Sequence, residues 1–256
     1  MRLGADPETF LVDKQGQFKS SIGLIKANKW APFQIPELPK GFTLQEDNVL
    51  LEFGIPPASD AEEFVAHINT VLQAGLSKLP GLSYSNLSCT VMPESEMESP
   101  LAYIFGCEPD FNAWTGRENR KPNPPHKLMR SAGGHIHVET KVDPRAGVRA
   151  CDLFLAVPSV LMDKGGTERR KLYGKPGAFR YKPYGFEYRT LSNFWIFNDE
   201  YIRWAWRNTE RAVEMCEDKE FQQALRSYGK MIRRTIMEGD EKAAELLVNQ
   251  FSLEVV

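Results

Sequence analysis

The sequence predicts an α+β fold in which an antiparallel sheet turns one apolar face toward amphipathic helices and one polar face toward a site. Two observations carry this expectation. Three strand-like runs hold polar residues two apart between large apolar ones: Asp6 and Glu8 near the N-terminus, His135 and His137 in GGHIHV, Glu187 and Arg189 in GFEYRTL. Residues i and i+2 of a strand share a face, so each run has a charged side and an apolar side. Helical periodicity lies elsewhere: Phe64, Val65, Ile68, Val71, Leu72 and Leu76 form one stripe, and amphipathic spacing resumes from about Asp199.

In chain order, ETFLVD and QFKSSIG read as a hairpin turning at Lys14-Gln15-Gly16, followed by a Pro-rich loop to about Pro39. Val49 to Ile55 is a short strand closed by Pro56-Pro57. Ser59-Asp60 then caps a helix to about Leu79. A strand is expected near Tyr84 to Met92, then an acidic loop, PESEMES, and a long irregular stretch from Phe105 to His126. After the Gly134 to Glu139 strand, residues 146 to 163 predict an apolar helix that Pro158 kinks or divides. Lys164 to Pro183 reads as a basic, Gly-rich loop leading into a strand from Phe186 to Leu191. No linker or repeat divides the chain, so residues 1–256 are expected to form one unit with a helical C-terminal part.

Composition narrows the classes of function. With 42% hydrophobic residues among 256, the chain can bury a sizeable core. A net charge of -2 and a pI near 6.2 give no field to gather polyanions, so no nucleic-acid polymer is expected as a partner. Cys89, Cys107, Cys151 and Cys216 form no CxxC pair, which argues against a zinc knuckle or a disulfide framework and for a reducing compartment. The start, MRLGADPETF, has no basic and apolar leader, and no window approaches bilayer length. Cytoplasm, without membrane association, is the expected location.

The three polar pairs point to a site together more than singly. A lone HxH in a strand is more often structural than ligating. Carboxylates and imidazoles gathered on one face are, however, what divalent cations bind, and Glu52 in VLLEFGIPP adds another carboxylate among apolar neighbours. Like charges facing one another repel, so a bound cation is the simplest way to keep them ionised. The Gly-Gly before His135 allows a close approach of backbone or ligand. Arg189 beside Glu187 offers a fixed fork for a phosphate.

No GxxxxGK[ST] or GxGxxG occurs, so a nucleotide would have to be held another way. The 164–183 segment concentrates Arg169, Arg170, Lys171, Lys175, Arg180 and Lys182 just before the Glu187 strand. This reads either as a clamp for polyphosphate or substrate carboxylates, or as a solvated basic loop.

The motifs GADPE, QEDNVLLEFGIPPA, FGCEPDFNAW, RSAGGHIHVE and KLYGKPGAFRYKPYGFEYRTLSNFW, in that order, resemble the phage phiEco32-like COOH-NH2 ligase type 2 family. That family is assigned to the glutamine synthetase and glutamate–cysteine ligase-like superfamily of carboxylate–amine ligases. The resemblance covers about residues 3 to 195. It implies a curved antiparallel sheet with helices on its convex face, and an ATP- and Mg²⁺- (or Mn²⁺-) dependent ligase. Such an enzyme joins a small-molecule or peptide acid to an amine through an acyl-phosphate, in the host cytoplasm if phage-encoded. It further implies Asp6 and Glu8 on different metal ions, with Asp6 a departure from the usual glutamate. His135 and Glu187 would share one ion, and Glu52 would join Glu8 on the other. His137 would lie near the nucleotide phosphates and Arg189 on the transferred one, with Arg180, Lys182 and Arg170 in the phosphate clamp. Asp47, Asn48, Cys107, Asp110, Trp114 and Arg130 are candidates for the substrate pocket or a lid, against a reading of the long loop as packed structure.

Two other readings stand beside the ligase. HxH with nearby carboxylates also suits a zinc-type hydrolase, in which a metal-bound hydroxide attacks. A non-catalytic nucleotide- or metal-binding module on the same scaffold is the third.

Overall fold

A computed structural model describes residues 1–104, 109–120 and 123–256. The strands are β1 (Arg2–Asp13), β2 (Phe18–Lys19), β3 (Phe33–Gln34), β4 (Thr43–Asp47), β5 (Leu50–Gly54), β6 (Leu82–Ser85), β7 (Cys89–Val91), β8 (Phe111–Asn112), β9 (Met129–Ser131), β10 (Gly134–Glu139), β11 (Ala178–Lys182) and β12 (Gly185–Tyr188). The α-helices are α1 (Ala61–Ser77), α2 (Pro144–Cys151), α3 (Val157–Met162), α4 (Gly166–Leu172), α5 (Asp199–Glu214), α6 (Lys219–Glu238) and α7 (Glu241–Phe251).

The architecture is α+β. Ten strands form one antiparallel sheet in the order β3-β4-β5-β1-β10-β12-β11-β8, with β2 and β6 paired to the far end of β1. β1 is the hub because it is long enough to change partners. It pairs with β10 from Arg2 to Pro7, with β5 at Glu8 and Thr9, and with β6 from Phe10 onward. Proline, which has no N–H for a ladder, stands where β1 leaves β10.

Register makes the two-faced sheet concrete. Ala5, Ile136, Tyr188 and Phe179 lie side by side across four strands, and Gly4, His137, Glu187 and Arg180 form the next row on the opposite face. The first row joins the main core with Leu3, Phe53, Phe64, Trp195 and Trp204, all buried under the helices. A smaller core, including Phe10, Leu50, Met92, Ala102 and Leu128, closes one end of the polar face.

Several expectations are corrected. The expected hairpin is present, β1 pairing with β2 around the turn at 14–16, but its first strand runs to twelve residues and includes GADPE. Residues 43–47 form a strand, β4, that the sequence reading left unassigned. The 84–92 run divides into β6 and β7, which join different sheets. The long stretch contains β8, paired to β11. The basic loop is a helix, α4, followed by strand β11, because GTERRKL contains neither Pro nor an internal Gly and its Arg169 and Arg170 find buried places. The Pro158 interruption appears ahead of the proline as a π-helical stretch, Asp152–Ala156. Proline would clash with the carbonyl four residues back, and the wider turn relieves that contact. Among the described residues, no helix is long and apolar enough to cross a membrane.

Candidate active site

The polar face of β1, β4, β5, β10, β11 and β12 opens into a cavity of about 660 Å³. Its wall includes Asp6, Glu8, Asp47, Glu52, His135, Arg169, Arg180, Lys182 and Arg189. Glu187 lies behind this wall, fully buried.

Two ligand-type groups occur here. Asp6, His135 and Glu187 form one, and Glu8, Asp47 and Glu52 the other; within each, one donor atom per residue lies within 4.8 Å of the others. Pairing explains both. Asp6 faces His135 across β1 and β10, and Glu8 faces Glu52 across β1 and β5. Asp47 is the last residue of β4, next to a two-residue turn in which Asn48 takes a left-handed conformation, φ 60°.

The first group is rich in counter-charge. Asp6 Oδ2 lies 3.0 Å from His137 Nε2 and Asp6 Oδ1 3.4 Å from His135 Nδ1. Glu187 pairs with Arg189, with Lys182 Nζ at 2.8 Å and with Arg180 Nη1 at 3.5 Å. Burial pushes the Glu187 carboxyl up, but Arg189 and the two histidines outweigh it and bring it down to about 2. Burial likewise raises Asp6, yet His137 and His135 hold it well below the usual carboxylate range. Burial, reinforced by the Arg189 charge, lowers His135 to about 4, which leaves the neutral imidazole that ligates metals.

In the second group the counter-charges, Arg189 and Arg169 on Glu8 and Arg189 and Arg180 on Asp47, do not outweigh burial. Burial, then the charge of Asp47, pushes Glu8 up to about 7 despite a hydrogen bond from the Gly133 N–H at 2.7 Å. Burial followed by repulsion from Asp6, Asp47 and Glu8 drives Glu52 well above its ordinary range. Burial raises Asp47 too.

These residues fit divalent cations. Three carboxylates that repel one another are a hard oxygen donor set, and Asp with His and Glu makes a mixed one. Asp6 Oδ1 is buried without accepting a hydrogen bond among the described residues, and Glu187 Oε2 faces Lys182 as an ion pair without hydrogen-bond geometry. Both retain lone pairs for a further partner.

Residues 126–250 match the model of the family described as Phage phiEco32-like COOH.NH2 ligase-type 2. It is the family that the sequence motifs resemble, and its name is that of a carboxylate–amine ligase. No curated protein matches the chain. The ligase-family match contains β10, β11 and β12, and so His135, His137, Arg180, Lys182, Glu187 and Arg189. Asp6, Glu8, Asp47 and Glu52 precede it, and the sheet brings them alongside.

Not every candidate reaches the cavity. Arg170, expected in the phosphate clamp, is 3% exposed, gives a hydrogen bond to Ser159 Oγ at 2.9 Å, and does not line the wall. Successive residues of a helix point about 100° apart, and its neighbour Arg169 lines the cavity instead, donating to the Thr190 carbonyl at 2.9 Å. Trp114 does not line the wall either. Its indole N–H donates to Asp152 Oδ2 at 2.6 Å and its ring lies against Gly229 of α6, on the helical side. Asp110 does not line the wall; its carbonyl closes the 110–119 loop. Cys107 lies outside the described residues. Arg130 and Asn48 do line the cavity, in a supporting way. Arg130 donates to the carbonyls of Ala102, Lys127 and Met129 and to Asn48 Oδ1, and Asn48 Nδ2 donates to the Ile104 carbonyl. His137 sits behind Asp6, hydrogen-bonded to the Tyr184 hydroxyl. The sequence placed Arg169 only within the basic segment read as a clamp, without separating it from Arg170, and gave Asp47 to the substrate; pairing of β4 with β5 is what carries Asp47 to Glu52.

Proposed function

We propose that this chain is an ATP- and Mg²⁺-dependent carboxylate–amine ligase working through an acyl-phosphate. The observation that carries the reading is that Asp6 and His135 of one cation-type donor group, the whole of the other, and four basic side chains, Arg169, Arg180, Lys182 and Arg189, line one cavity, with Glu187 directly behind its wall. The family name supplies the bond that is made. We extend the reading to a glutamine synthetase-like catalytic fold, a single catalytic unit over residues 1–256, and action in the cytoplasm.

In this reading Asp6, His135 and Glu187 hold one Mg²⁺, and Glu8, Asp47 and Glu52 a second. Ions held there would supply positive charge to offset that of the triphosphate, as in other phosphoryl transfers. Arg189 forks toward the transferred phosphoryl group, and Arg180 and Lys182 approach from β11 to hold neighbouring phosphate oxygens. A carboxylate oxygen of the acid attacks the γ-phosphorus, the bond to ADP breaks, and an acyl-phosphate forms. The amine then attacks the acyl carbon, loses a proton, and releases phosphate as the amide forms. No protein nucleophile is needed. The chain's contribution is position, charge and exclusion of water, since hydrolysis of the acyl-phosphate is the competing loss.

The test is ADP release with Mg²⁺ against pools of acids and amines, with mass spectrometry of the product. A ligase releases ADP and phosphate only when acid and amine are both present. Turnover without ATP would instead identify a hydrolase, and absence of metal-dependent nucleotide binding would identify a non-catalytic module.

A further inference from the structure

The cavity has a second character that the charged floor does not use. Trp30, Leu101 and Ile104 line its wall, and they are 79%, 55% and 55% exposed. Large apolar side chains left open on a shared concave surface mark a place where an apolar group is received.

This rim is built. Trp30 stands at the tip of a tight turn in which Asn28 Oδ1 accepts from the Trp30 N–H at 3.0 Å and the Ala31 N–H at 3.3 Å. The base of that loop is fixed by Glu46 Oε1, which accepts from the N–H groups of Ile25 and Lys26 at 2.8 and 2.7 Å. Lys29 Nζ lies 4.4 Å over the Trp30 ring. Elsewhere on the wall, Ile104 is held through its carbonyl by Asn48 and Leu101 through its neighbour Ala102 by Arg130. Asn48 follows Asp47 directly, so the rim and the carboxylate floor share one support.

A charged floor with an apolar, aromatic rim is complementary to one kind of ligand: a polyphosphate tail joined to a flat, apolar ring system. Resting on the ligase reading above, we propose that the Trp30–Leu101–Ile104 rim is the nucleobase subsite, with the base stacked on the Trp30 indole while the phosphates lie over the carboxylate floor. Stacking is indifferent to the hydrogen-bonding edge of the base, so the subsite accepts nucleotides as a class rather than one base. Lys29, on the indole, adds positive charge beside the path from base to phosphates.

The experiment is calorimetric titration of the full chain with Mg-ADP and, separately, with inorganic tripolyphosphate and Mg²⁺, for the wild type, Trp30→Ala and Trp30→Phe. Loss of one stacking partner weakens Mg-ADP on the order of tenfold in Trp30→Ala. Tripolyphosphate binding stays unchanged, and Trp30→Phe keeps most of the nucleotide affinity. Trp30 is exposed at a loop tip, and unaltered thermal unfolding confirms that the variants keep the fold. Equal affinity for Mg-ADP in Trp30→Ala and wild type overturns the subsite alone. So does a variant that changes only the KM for acid or amine, which would give the rim to the substrate. A wild type that binds neither ligand overturns the ligase reading itself.

Discussion

Asp152 Oδ1 accepts a hydrogen bond from the Tyr188 hydroxyl at 2.9 Å, on the face of β12 opposite to that carrying Glu187 and Arg189. The same carboxylate takes the Thr190 hydroxyl at 3.2 Å and, on Oδ2, the Trp114 indole at 2.6 Å. One fully buried side chain in the π-helical turn thus ties the reverse side of the site strand to the 111–117 loop and the helices. Asp152→Ala leaves the Tyr188 hydroxyl and the Trp114 indole N–H without their acceptor, while Thr190 keeps the Lys175 carbonyl, and each orphaned donor costs about 1–3 kcal/mol. Urea denaturation should show a loss on the order of 3 kcal/mol or more; a loss under about 0.5 kcal/mol would mean that the network is not holding the strand.

Asp152 also gives stability a pH dependence of known sign. Burial, opposed by its three hydrogen bonds, pushes its pKa up to about 7, against about 4 in an unfolded chain. Between those values the folded state binds more protons, so stability falls as pH rises. Asp152's contribution is therefore fully present below about pH 4 and lost as pH passes about 7. Asp152→Asn removes this contribution. The stability difference between wild type and variant should shift against the wild type across that window, and a pH-independent difference would contradict the assignment.

The carboxylate group should behave in the same direction, with a remedy. Glu8 is raised to about 7, Glu52 is raised by burial and by repulsion from Asp6, Asp47 and Glu8, and Asp47 is raised chiefly by burial. In EDTA, the melting temperature should therefore drop as pH rises from about 4.3, the unfolded glutamate value, toward 7. Mg²⁺ or Mn²⁺ at a hundred times its dissociation constant should restore about 2.7 kcal/mol at neutral pH and less at pH 5, where protons compete for the ligands. Glu52→Gln should lose most of that restoration. Identical melting curves with and without cation would argue that the two groups hold none.

Much of this was legible from residue spacing. The i, i+2 pairs Asp6/Glu8, His135/His137 and Glu187/Arg189 do share the polar face, because strand alternation is local and needs no tertiary information. Helix α1 was legible for the same kind of reason: Asp60 caps it and Phe64, Val65, Ile68 and Val71 of its stripe are buried, although Leu76 at its end is exposed. What escaped depended on partners. Nothing in TLQED marks a strand by itself; β4 exists because β5 offers it a ladder, and only that ladder brings Asp47 to Glu52. Arg169 and Arg170 look alike in a run of basic residues, and which one faces the cavity is decided by where α4 packs. Trp114 looked like a binding residue because aromatics in long loops often are; its actual partner, Asp152, lies 38 residues away.

Arg189 offers a test of the phosphate fork. Its guanidinium pairs with Glu187 and lies 3.3 Å from His135 Nδ1, so one rigid group reaches two members of the first cluster. Arg189→Lys keeps the charge and loses the fork. ADP release should fall at least about tenfold, equivalent to about 1.4 kcal/mol of transition-state stabilisation, with the folded fraction unchanged. Wild-type rates in this variant would remove Arg189 from the phosphoryl-transfer step.

The two glycines before His135 should fail in different ways when given a methyl group. A Cβ on Gly133 would lie 2.3 Å from His135 Nε2 and 3.0 Å from Arg169 Nη2, both ends of side chains on the cavity wall. A Cβ on Gly134 would meet the Ser192 carbonyl oxygen at 2.3 Å and Trp195 Nε1 at 2.4 Å, a backbone atom and a fully buried ring. Side chains can turn aside at modest cost, whereas backbone and packed core cannot. Gly133→Ala should therefore melt within a few degrees of wild type while ADP release falls at least about tenfold, because the imidazole is pushed off its place. Gly134→Ala should instead lose about 1–3 kcal/mol of stability, the usual range for overpacking. If Gly133→Ala keeps full activity, His135 does not need its present position, and its place among the site residues would have to be withdrawn.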